Sequence, residues 1–166
     1  MQTIYLAGGC FWGLQKFFDQ FDGVLETETG YANGPDTAPS YQDVCNDSGH
    51  AETVRIAYDE DKLPLKKVLD YYFMVIDPLS VNRQGHDEGI QYRTGVFYTD
   101  ESQLPELRTA FDRERQKAGA PLAVVLEPLR NFFSAEEYHQ KYLDKNPGGY
   151  CHIPRALLNL QTNKYK

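Results

Sequence analysis

Three cysteines, at positions 10, 45 and 151, are the residues of this chain best suited to covalent chemistry. Cys10 stands within Gly8-Gly9-Cys10-Phe11-Trp12-Gly13, where the apolar pattern of a strand changes to that of a helix. Backbone N–H groups and the dipole at a helix start favour a thiolate, so this position predicts a nucleophilic thiol. The preceding glycines permit a tight turn and the close approach of a ligand. A buried, chemically inert cysteine is the alternative that this motif alone leaves open.

Three further segments carry side chains that acid–base or thiol chemistry needs. Tyr41 precedes Gly49-His50-Ala51-Glu52, and a glutamic acid at a strand start can donate a proton near pH 7 where an apolar pocket raises its pKa. Residues 82–93 are rich in hydrogen-bonding side chains and contain glycines. Residues 138–151 end in a glycine-rich stretch whose Cys151 could swing toward another thiol. Taken singly, each segment is more typical of a solvent-exposed loop, strand end or surface cysteine than of a functional site.

The composition indicates one globular domain, residues 1–166, that binds neither nucleic acid nor a membrane. A chain of 166 residues matches one domain at about 100–200 residues per domain. Its net charge of −7 argues against a protein that binds nucleic-acid phosphates. The longest apolar run, residues 71–76, is far shorter than the roughly 20 residues of a membrane helix. We expect the tail from about residue 147, which begins Pro-Gly-Gly, to be flexible.

The cysteine and histidine content argues against both a metal site and a disulfide scaffold. The chain has no C-x-x-C pair, and its four histidines and three cysteines are scattered, so we expect no bound metal. Three cysteines are too few for a secreted disulfide framework. The first residues also lack the basic region of a signal peptide, so the sequence predicts a cytoplasmic protein.

Hydrophobic periodicity predicts the elements that must position these residues. The predicted strands cover residues 3–6, 24–31, 51–58, 93–99 and 122–128, the last of them buried. The predicted helices cover residues 11–21, 65–76 and 104–117, and a last one begins at Ser134 as its N-cap. Residues 32–50 and 77–92 are expected to be polar loops that wall the site. This order predicts an α+β two-layer sandwich, with helices packed on a ferredoxin-like, mixed but largely antiparallel sheet.

Together, these motifs resemble the A-type peptide methionine sulfoxide reductase family. Five short motifs match the family and stand in its order along the chain: Gly9-Cys10-Phe11-Trp12-Gly13, Gly49-His50-Ala51-Glu52, Gln84-Gly85 through Gln91-Tyr92-Arg93, Tyr138-His139-Gln140, and Asn146-Pro147 through Gly149-Tyr150-Cys151. Each motif alone is weak, whereas the ordered set, which spans roughly residues 3–153, is highly specific. The family's fold is a two-layer α+β sandwich, in agreement with the predicted order of elements.

The resemblance implies that the chain reduces methionine S-sulfoxide, free or within proteins, to methionine. Cys10 would attack the sulfur and be left as a sulfenic acid, while Glu52 protonates the departing oxygen. Tyr41 and Tyr92 would hold that oxygen by hydrogen bonds from their hydroxyl groups. Asp87 would act from the polar side of the pocket.

The resemblance also implies how the substrate is oriented and how the enzyme is recycled. Phe11 and Trp12 would receive the methyl group on sulfur, and the family acts on the S epimer. Cys151 matches a resolving cysteine that forms a disulfide with Cys10, which thioredoxin or a similar thiol reductant then opens. No other cofactor is implied, and we expect a monomeric enzyme that repairs oxidised proteins. Cys45 lies in the loop before the glutamic acid and stays an alternative partner for Cys10.

Three features depart from the usual family pattern. His86 stands where the family more often has asparagine. The loop from Tyr41 to Glu52 is one residue shorter than in common members. No cysteine follows Cys151, so the second recycling cysteine of some members has no counterpart in this sequence. The segment His152-Ile153-Pro154 instead resembles the A domain of fused A–B reductases.

Three other functions are consistent with parts of the sequence. A Cys–His–Asp hydrolase or acyl transferase would combine Cys10 and Asp87 with a histidine. The candidates for that histidine are His50 and His86, and such an enzyme would turn over without a reductant. A binding module would use the aromatic side chains, which make up 13% of the chain, and would tolerate Cys10→Ser. A general thiol oxidoreductase is disfavoured because the chain has no C-x-x-C motif.

Overall fold

A six-stranded sheet with helices packed on it forms the framework of the computed structural model, which describes residues 1–160. The strands of this part of the chain are β1 (Gln2–Ala7), β2 (Val24–Ala32), β3 (Ala51–Tyr58), β4 (Arg83–Gln84), β5 (Asp87–Glu88), β6 (Gly95–Tyr98), β7 (Val125–Pro128) and β8 (Phe132–Ser134). The large sheet has the order β7-β6-β1-β3-β2-β8, and β4 and β5 form a separate hairpin. All neighbouring strands are antiparallel except β6 and β7, which are parallel.

Helices alternate with these strands along the chain. The α-helices of the described residues are α1 (Phe11–Asp19), α2 (Tyr41–Cys45), α3 (Leu65–Val75), α4 (Leu104–Ala118) and α5 (Tyr142–Lys145). Four single turns of 3-10 helix cover Ile90–Tyr92, Glu101–Gln103, Glu137–His139 and Leu157–Asn159. The α+β class that the sequence predicts is therefore confirmed, with a sheet that is mixed because of its one parallel pair.

The apolar spacing of α1 and α3 determines where the core lies. Leu14, Phe17 and Phe18 are fully buried on one face of α1, as residues three and four apart on a helix should be. β3 lies between β1 and β2, and nearly all of its residues are buried. The Tyr72 hydroxyl on α3 donates to the Ala7 carbonyl at 2.6 Å. This bond fixes the end of β1 from which the chain enters the glycine–cysteine motif.

Two predicted elements are wrong, and sheet pairing explains both. The strand expected over residues 122–128 begins only at Val125, and it is partly exposed because it pairs with β6 alone at the edge of the sheet. The helix expected to start at Ser134 does not form, since Ser134 ends β8 and pairs with Gly30 of β2. The Ser134 hydroxyl donates to Glu28 at 3.0 Å instead of capping a helix.

The two predicted polar loops contain short regular elements that hydrophobic periodicity does not reveal. Helix α2 lies within residues 32–50 and starts with a capping box. In it the Asp43 N–H donates to the Ser40 hydroxyl at 3.1 Å, and the Ser40 N–H donates to the Asp43 carboxylate at 2.9 Å. Residues 77–92 contain the β4–β5 hairpin and a 3-10 turn. Side-chain bonds to the backbone, rather than an apolar face, specify such elements.

The segment that follows α5 packs against α1, the helix that begins directly after Cys10. Ile153 is only 2% exposed and belongs to the main core. The flexible tail from residue 147 and the single domain over residues 1–166 stay predictions, and residues 161–166 lie outside the described part of the chain. Within residues 1–160, no helix has the length and apolar character that crossing a membrane requires.

Candidate active site

Cys10 is the N-cap residue of α1, with extended backbone angles and a side chain that is only 7% exposed. The turn before it needs glycine, because Gly9 has a φ of +73° and a Cβ there would lie 2.8 Å from the Gln84 Cβ. The Gly9 N–H donates to the Tyr92 carbonyl at 3.2 Å, which ties the turn to the 3-10 segment. The sequence therefore places Cys10 correctly at the start of a helix.

The expectation that the helix start favours a Cys10 thiolate is wrong for the resting site. Burial raises the pKa of the Cys10 thiol well above its usual value, and the nearby charge of Glu52 raises it further. A hydrogen bond from the Trp12 backbone N–H lowers this pKa but does not compensate. Desolvation of a thiolate thus outweighs the backbone donors. Cys10 holds its proton until something removes it.

Glu52 is the candidate proton donor of the site, and its charge acts on the Cys10 thiol. It is the second residue of β3, faces Tyr31 across the sheet, and is only 1% exposed. Its Oε1 accepts the Phe11 N–H at 3.2 Å, and its Oε2 has no hydrogen-bond partner among the described residues. Burial raises the pKa of Glu52 to about 8, with a smaller contribution from Asp87. Glu52 is therefore mainly protonated at neutral pH and carries a transferable proton.

Tyr41 and Tyr92, the two phenols that the resemblance singles out, both lie close enough to Glu52 to feel its charge. Tyr41 begins α2, and its backbone N–H donates at 2.9 Å to the Glu136 carboxylate, which also accepts the Tyr31 hydroxyl at 2.8 Å. Burial raises the pKa of both Tyr41 and Tyr92, and the charge of Glu52 raises both pKa values further. Both phenols therefore stay protonated and can donate hydrogen bonds near Glu52.

Asp87 lies in β5 and closes the polar side of the site. The Cys10 backbone N–H donates to its carboxylate, while its Oδ2 is buried and has no partner among the described residues. Burial raises the pKa of Asp87. The charges of Glu52 and Asp87 raise the pKa of Cys10, and the charge of Asp87 raises the pKa of Glu52, so the site resists accumulating negative charge.

Phe11 and Trp12 extend from the first turn of α1 into an aromatic cluster. The Trp12 indole N–H donates to His139 Nδ1 at 2.9 Å, and the indole stacks on Tyr142 with ring centres 3.7 Å apart. The buried Phe11 ring lies 5.7 Å from the Tyr31 ring and 5.2 Å from the His139 ring. These contacts hold Trp12 in one orientation.

The sequence implies no role for His139, Tyr142 or Glu136, although the first two lie within the candidate segment 138–151. His139 accepts from Trp12 through Nδ1, so its neutral ring carries the proton on Nε2, which is buried without a partner among the described residues. Burial lowers the pKa of His139, which keeps the ring neutral. The matched Tyr138-His139-Gln140 motif was the signal that could have pointed to this support.

Cys151 and Cys45 approach the site from different sides. Cys151 is partly buried beside α1 and borders a cavity of about 320 Å³, whose other lining residues include Lys16 and Arg155. Cys45 is exposed at the end of α2, one helical turn from Tyr41, and a hydrogen bond with Cys45 contributes to the raised pKa of Tyr41. Cys10, Cys45 and Cys151 are all free thiols in the structure.

The histidines of the alternative hydrolase are not arranged for thiol activation. His50 Nδ1 bonds Ser48 Oγ at 2.9 Å, and His50 Nε2 bonds the Pro35 carbonyl at 2.8 Å, so both ring nitrogens are occupied. His86 is exposed in the turn of the β4–β5 hairpin. The described residues also contain no group of three or more side chains suited to a metal ion.

The α+β fold thus brings a buried thiol and a carboxylic acid with a raised pKa together at a helix start, a combination typical of thiol-dependent enzymes. The family model for peptide methionine sulfoxide reductase matches residues 2–166. The chain belongs to this family, and it is an oxidoreductase.

Individual relatives agree over nearly the whole chain. A peptide methionine sulfoxide reductase MsrA of Clostridium acetobutylicum is 56% identical over 95% of this chain and 98% of its own length. One from Lachnoclostridium phytofermentans is 52% identical, with 98% of each chain covered. Among solved structures, reduced Mxr1 from Saccharomyces cerevisiae superimposes with a TM-score of 0.87 at 38% identity, covering 92% of this chain and 91% of Mxr1. Mxr1 in complex with Trx2 gives a TM-score of 0.60 at 26% identity, covering 85% and 84%.

Proposed function

We propose that this chain reduces methionine S-sulfoxide, free or within proteins, with Cys10 as the nucleophile and Glu52 as the acid. The observation that carries the proposal is the Glu52 carboxyl group, which is buried beside Cys10 with its pKa raised to about 8. A sulfoxide oxygen leaves poorly unless it is protonated, and an acid with this pKa holds its proton at neutral pH. The family of the chain supports the same substrate.

The first step transfers one oxygen atom from substrate to thiol. The Cys10 sulfur attacks the sulfoxide sulfur, and Glu52 delivers its proton to the oxygen. Glu52 then regains a proton, the one that the Cys10 thiol gives up. The oxygen leaves the substrate as hydroxyl on Cys10, so that thiol and sulfoxide become sulfenic acid and methionine. The raised pKa of Cys10 fits this order, because the thiol loses its proton only when Glu52 can take it.

The walls of the site would select the substrate's orientation. The Tyr41 and Tyr92 hydroxyls would bind the sulfoxide oxygen, and Asp87 would act from the polar side. The methyl group would lie against Phe11 and Trp12, whose indole is held by a hydrogen bond and a stacked ring. Oxygen on one side and methyl on the other make a chiral pocket, for which we propose the S epimer because separate reductases serve the two epimers.

A second thiol would resolve the sulfenic acid. The Cys151 thiol attacks the sulfenic sulfur of Cys10, which forms a disulfide and releases the oxygen as water. A thioredoxin-like reductant would then reduce that disulfide by thiol exchange, and the similarity to Mxr1 in complex with Trx2 supports this partner. No other cofactor is needed in this scheme. A monomeric state, a cytoplasmic location and a role in the repair of oxidised proteins stay predictions.

The ferredoxin-like plan is also a proposal. Strands β6, β1, β3 and β2 are neighbours in that order, and each is antiparallel to the next. Helix α1 connects β1 to β2, and helix α3 lies between β3 and the hairpin that precedes β6. This arrangement supports a split βαβ core. β7 and β8 would then be additions at its two edges.

The Glu52→Gln variant tests the assignment of roles. Even a site that lowered a thiol pKa from about 8.5 to about 7 would gain little from it. The thiolate fraction at pH 7 would rise roughly fifteenfold, but the lower nucleophilicity would cancel about a factor of five. Positioned acid catalysis contributes about 10²–10⁴. We therefore expect Glu52→Gln to slow methionine formation in a single turnover by about a hundredfold or more. A loss of less than tenfold would contradict the role of Glu52, and the exposed Glu88→Gln is the control.

The pH profile of the same single turnover gives a second reading. Because the acid form of Glu52 is lost as the pH rises through about 8, the wild-type rate should fall in that interval. The Glu52→Gln variant should be slow and should show no fall there. A wild-type rate that rises steadily from pH 7 to pH 9 would indicate that thiol ionisation, not acid catalysis, limits the step.

A further inference from the structure

Gly13 is the point at which the Cys151 side chain rests on α1. A Cβ placed on Gly13 would lie 2.5 Å from the Cys151 sulfur, 3.5 Å from the Ile153 Cδ1 and 3.8 Å from the Cys151 Cβ. Real carbon atoms pack against neighbouring atoms at about 3.5–4.0 Å. The sulfur therefore occupies space that any other residue at this position would need.

The helix itself does not require glycine at this position. Gly13 lies inside α1 and does not have a positive φ, so its backbone suits any residue. Glycine inside a helix is less favourable than alanine, because glycine loses more backbone freedom on folding. Backbone geometry therefore does not explain the glycine, whereas the Cys151 sulfur, the atom nearest to the position of the missing Cβ, does.

The contact places the second thiol close to the first. Cys10 caps α1 and Gly13 follows three residues later, and positions three apart on a helix are neighbours with about 5–6 Å between their Cβ atoms. The Ile153 N–H donates to the Cys151 sulfur at 3.4 Å, and the buried Ile153 side chain anchors the segment to the core. The Cys151 thiol therefore lies against the first turn of α1, directly after Cys10.

We propose that Gly13 is a positioning residue: the space left by its missing side chain is a seat for the Cys151 thiol. This seat keeps the thiol close to Cys10 when Cys10 becomes a sulfenic acid. The inference rests on the proposed function and deepens its second step. In that step the Cys151 sulfur bonds to the Cys10 sulfur, the S–OH bond of Cys10 breaks, and the Cys151 proton leaves with the hydroxyl group as water. The disulfide brings the two Cβ atoms to about 3.5–4.5 Å from each other.

A methyl group at Gly13 should disturb this step and not the preceding one. To reach normal contact the sulfur must retreat by about 1 Å or more, since the Cβ would lie 2.5 Å from it. Misplacement by about 1 Å can cost about a hundredfold in rate. Outside the helix itself, the three atoms nearest to such a methyl group belong to Cys151 and Ile153 and not to Glu52, so we expect the first step to proceed.

The test compares Gly13→Ala with wild type in a single turnover without reductant. Methionine released, free thiols lost, and sulfenic acid trapped by dimedone are followed over time, with methionine sulfoxide peptide in excess. Gly13→Ala should release methionine within about twofold of the wild-type rate, but its disulfide should form about tenfold to a hundredfold more slowly. The dimedone adduct of Cys10 should accumulate accordingly. Gly148→Ala is the matched control, because a Cβ there has no atom within 4 Å and the glycine lacks a positive φ.

A double variant distinguishes the loss of the Cys151 seat from a general destabilisation of the fold. In a Cys151→Ala background the sulfur is gone, so adding Gly13→Ala should leave both methionine release and the lifetime of the sulfenic acid unchanged. Disulfide formation at the wild-type rate in Gly13→Ala would overturn the inference, as would slowed methionine release in Gly13→Ala and in the double variant alike. Failure of wild type to release methionine would instead refute the proposed function itself.

Discussion

Replacing Glu52 by glutamine should stabilise the folded protein, relative to wild type, by an amount that grows as the pH rises. Glu52 is 1% exposed, and burial raises its pKa in the folded state from 4.5 to about 8. A group whose pKa rises on folding favours the folded state most at low pH, and this contribution is lost as the pH climbs toward the folded-state pKa. Above pH 8 the folded protein must hold a buried carboxylate, whereas glutamine remains neutral at every pH.

The size of the effect follows from the two pKa values. Each pKa unit corresponds to about 1.36 kcal/mol, and the interval between pH 5 and pH 8 lies almost wholly between 4.5 and the raised value of about 8. The stability difference between Glu52→Gln and wild type should therefore grow by about 3–4 kcal/mol from pH 5 to pH 8, because Glu52 is half-ionised in the folded protein at pH 8 and still partly protonated in the unfolded chain at pH 5. Comparing two pH values cancels any constant cost of the glutamine, such as an unpaired amide N–H. Glutamine also keeps an oxygen that can accept the Phe11 N–H.

Urea unfolding of both proteins at pH 5, 6, 7 and 8, with the thiols kept reduced, measures this growth directly. The exposed Glu88→Gln variant, in the hairpin that carries Asp87, should show a constant difference from wild type across the series. An equally constant difference for Glu52→Gln would refute the reasoning, because it would mean that Glu52 titrates alike in the folded and unfolded chain. The acid that the proposed reaction requires at neutral pH would then not exist.

Two further predictions concern the oxygen-binding phenols and the choice of resolving thiol. Tyr41→Phe and Tyr92→Phe should each slow single-turnover methionine formation by about tenfold, since each removes one hydrogen bond to the sulfoxide oxygen; unchanged rates in both would remove the phenols from the mechanism. After one oxidative turnover, non-reducing peptide mapping should find a Cys10–Cys151 disulfide in wild type and in Cys45→Ser, and none in Cys151→Ser. A Cys10–Cys45 disulfide in wild type would assign the resolving role to Cys45 instead.

Local patterns predicted the parts of the site that short stretches of sequence determine. The strand over residues 51–58 has the predicted bounds, because its apolar side chains alternate and a glycine-containing loop precedes it. Cys10 caps a helix as expected, since the glycines before it and the apolar spacing after it both mark the boundary. The predicted class of fold followed from the same local signals.

Features that depend on distant segments could not be predicted in this way. The pKa of Cys10 rises because burial and Glu52 act on it from outside its own motif, whereas the sequence revealed only the helix start. The support of Trp12 comes from His139 and Tyr142, more than a hundred residues away. The strand β8 replaced a predicted helix because β2 offered a free edge, which no local propensity reports.

The central claim is that a Cys10-dependent reaction consumes one epimer of methionine sulfoxide. The most direct test is chiral separation of N-acetyl-methionine sulfoxide amide after incubation with the protein and dithiothreitol, with wild type and Cys10→Ser side by side. The account predicts that wild type consumes only the S epimer and that Cys10→Ser consumes neither. Persistence of both epimers with wild type, or loss of the S epimer with Cys10→Ser, would contradict it.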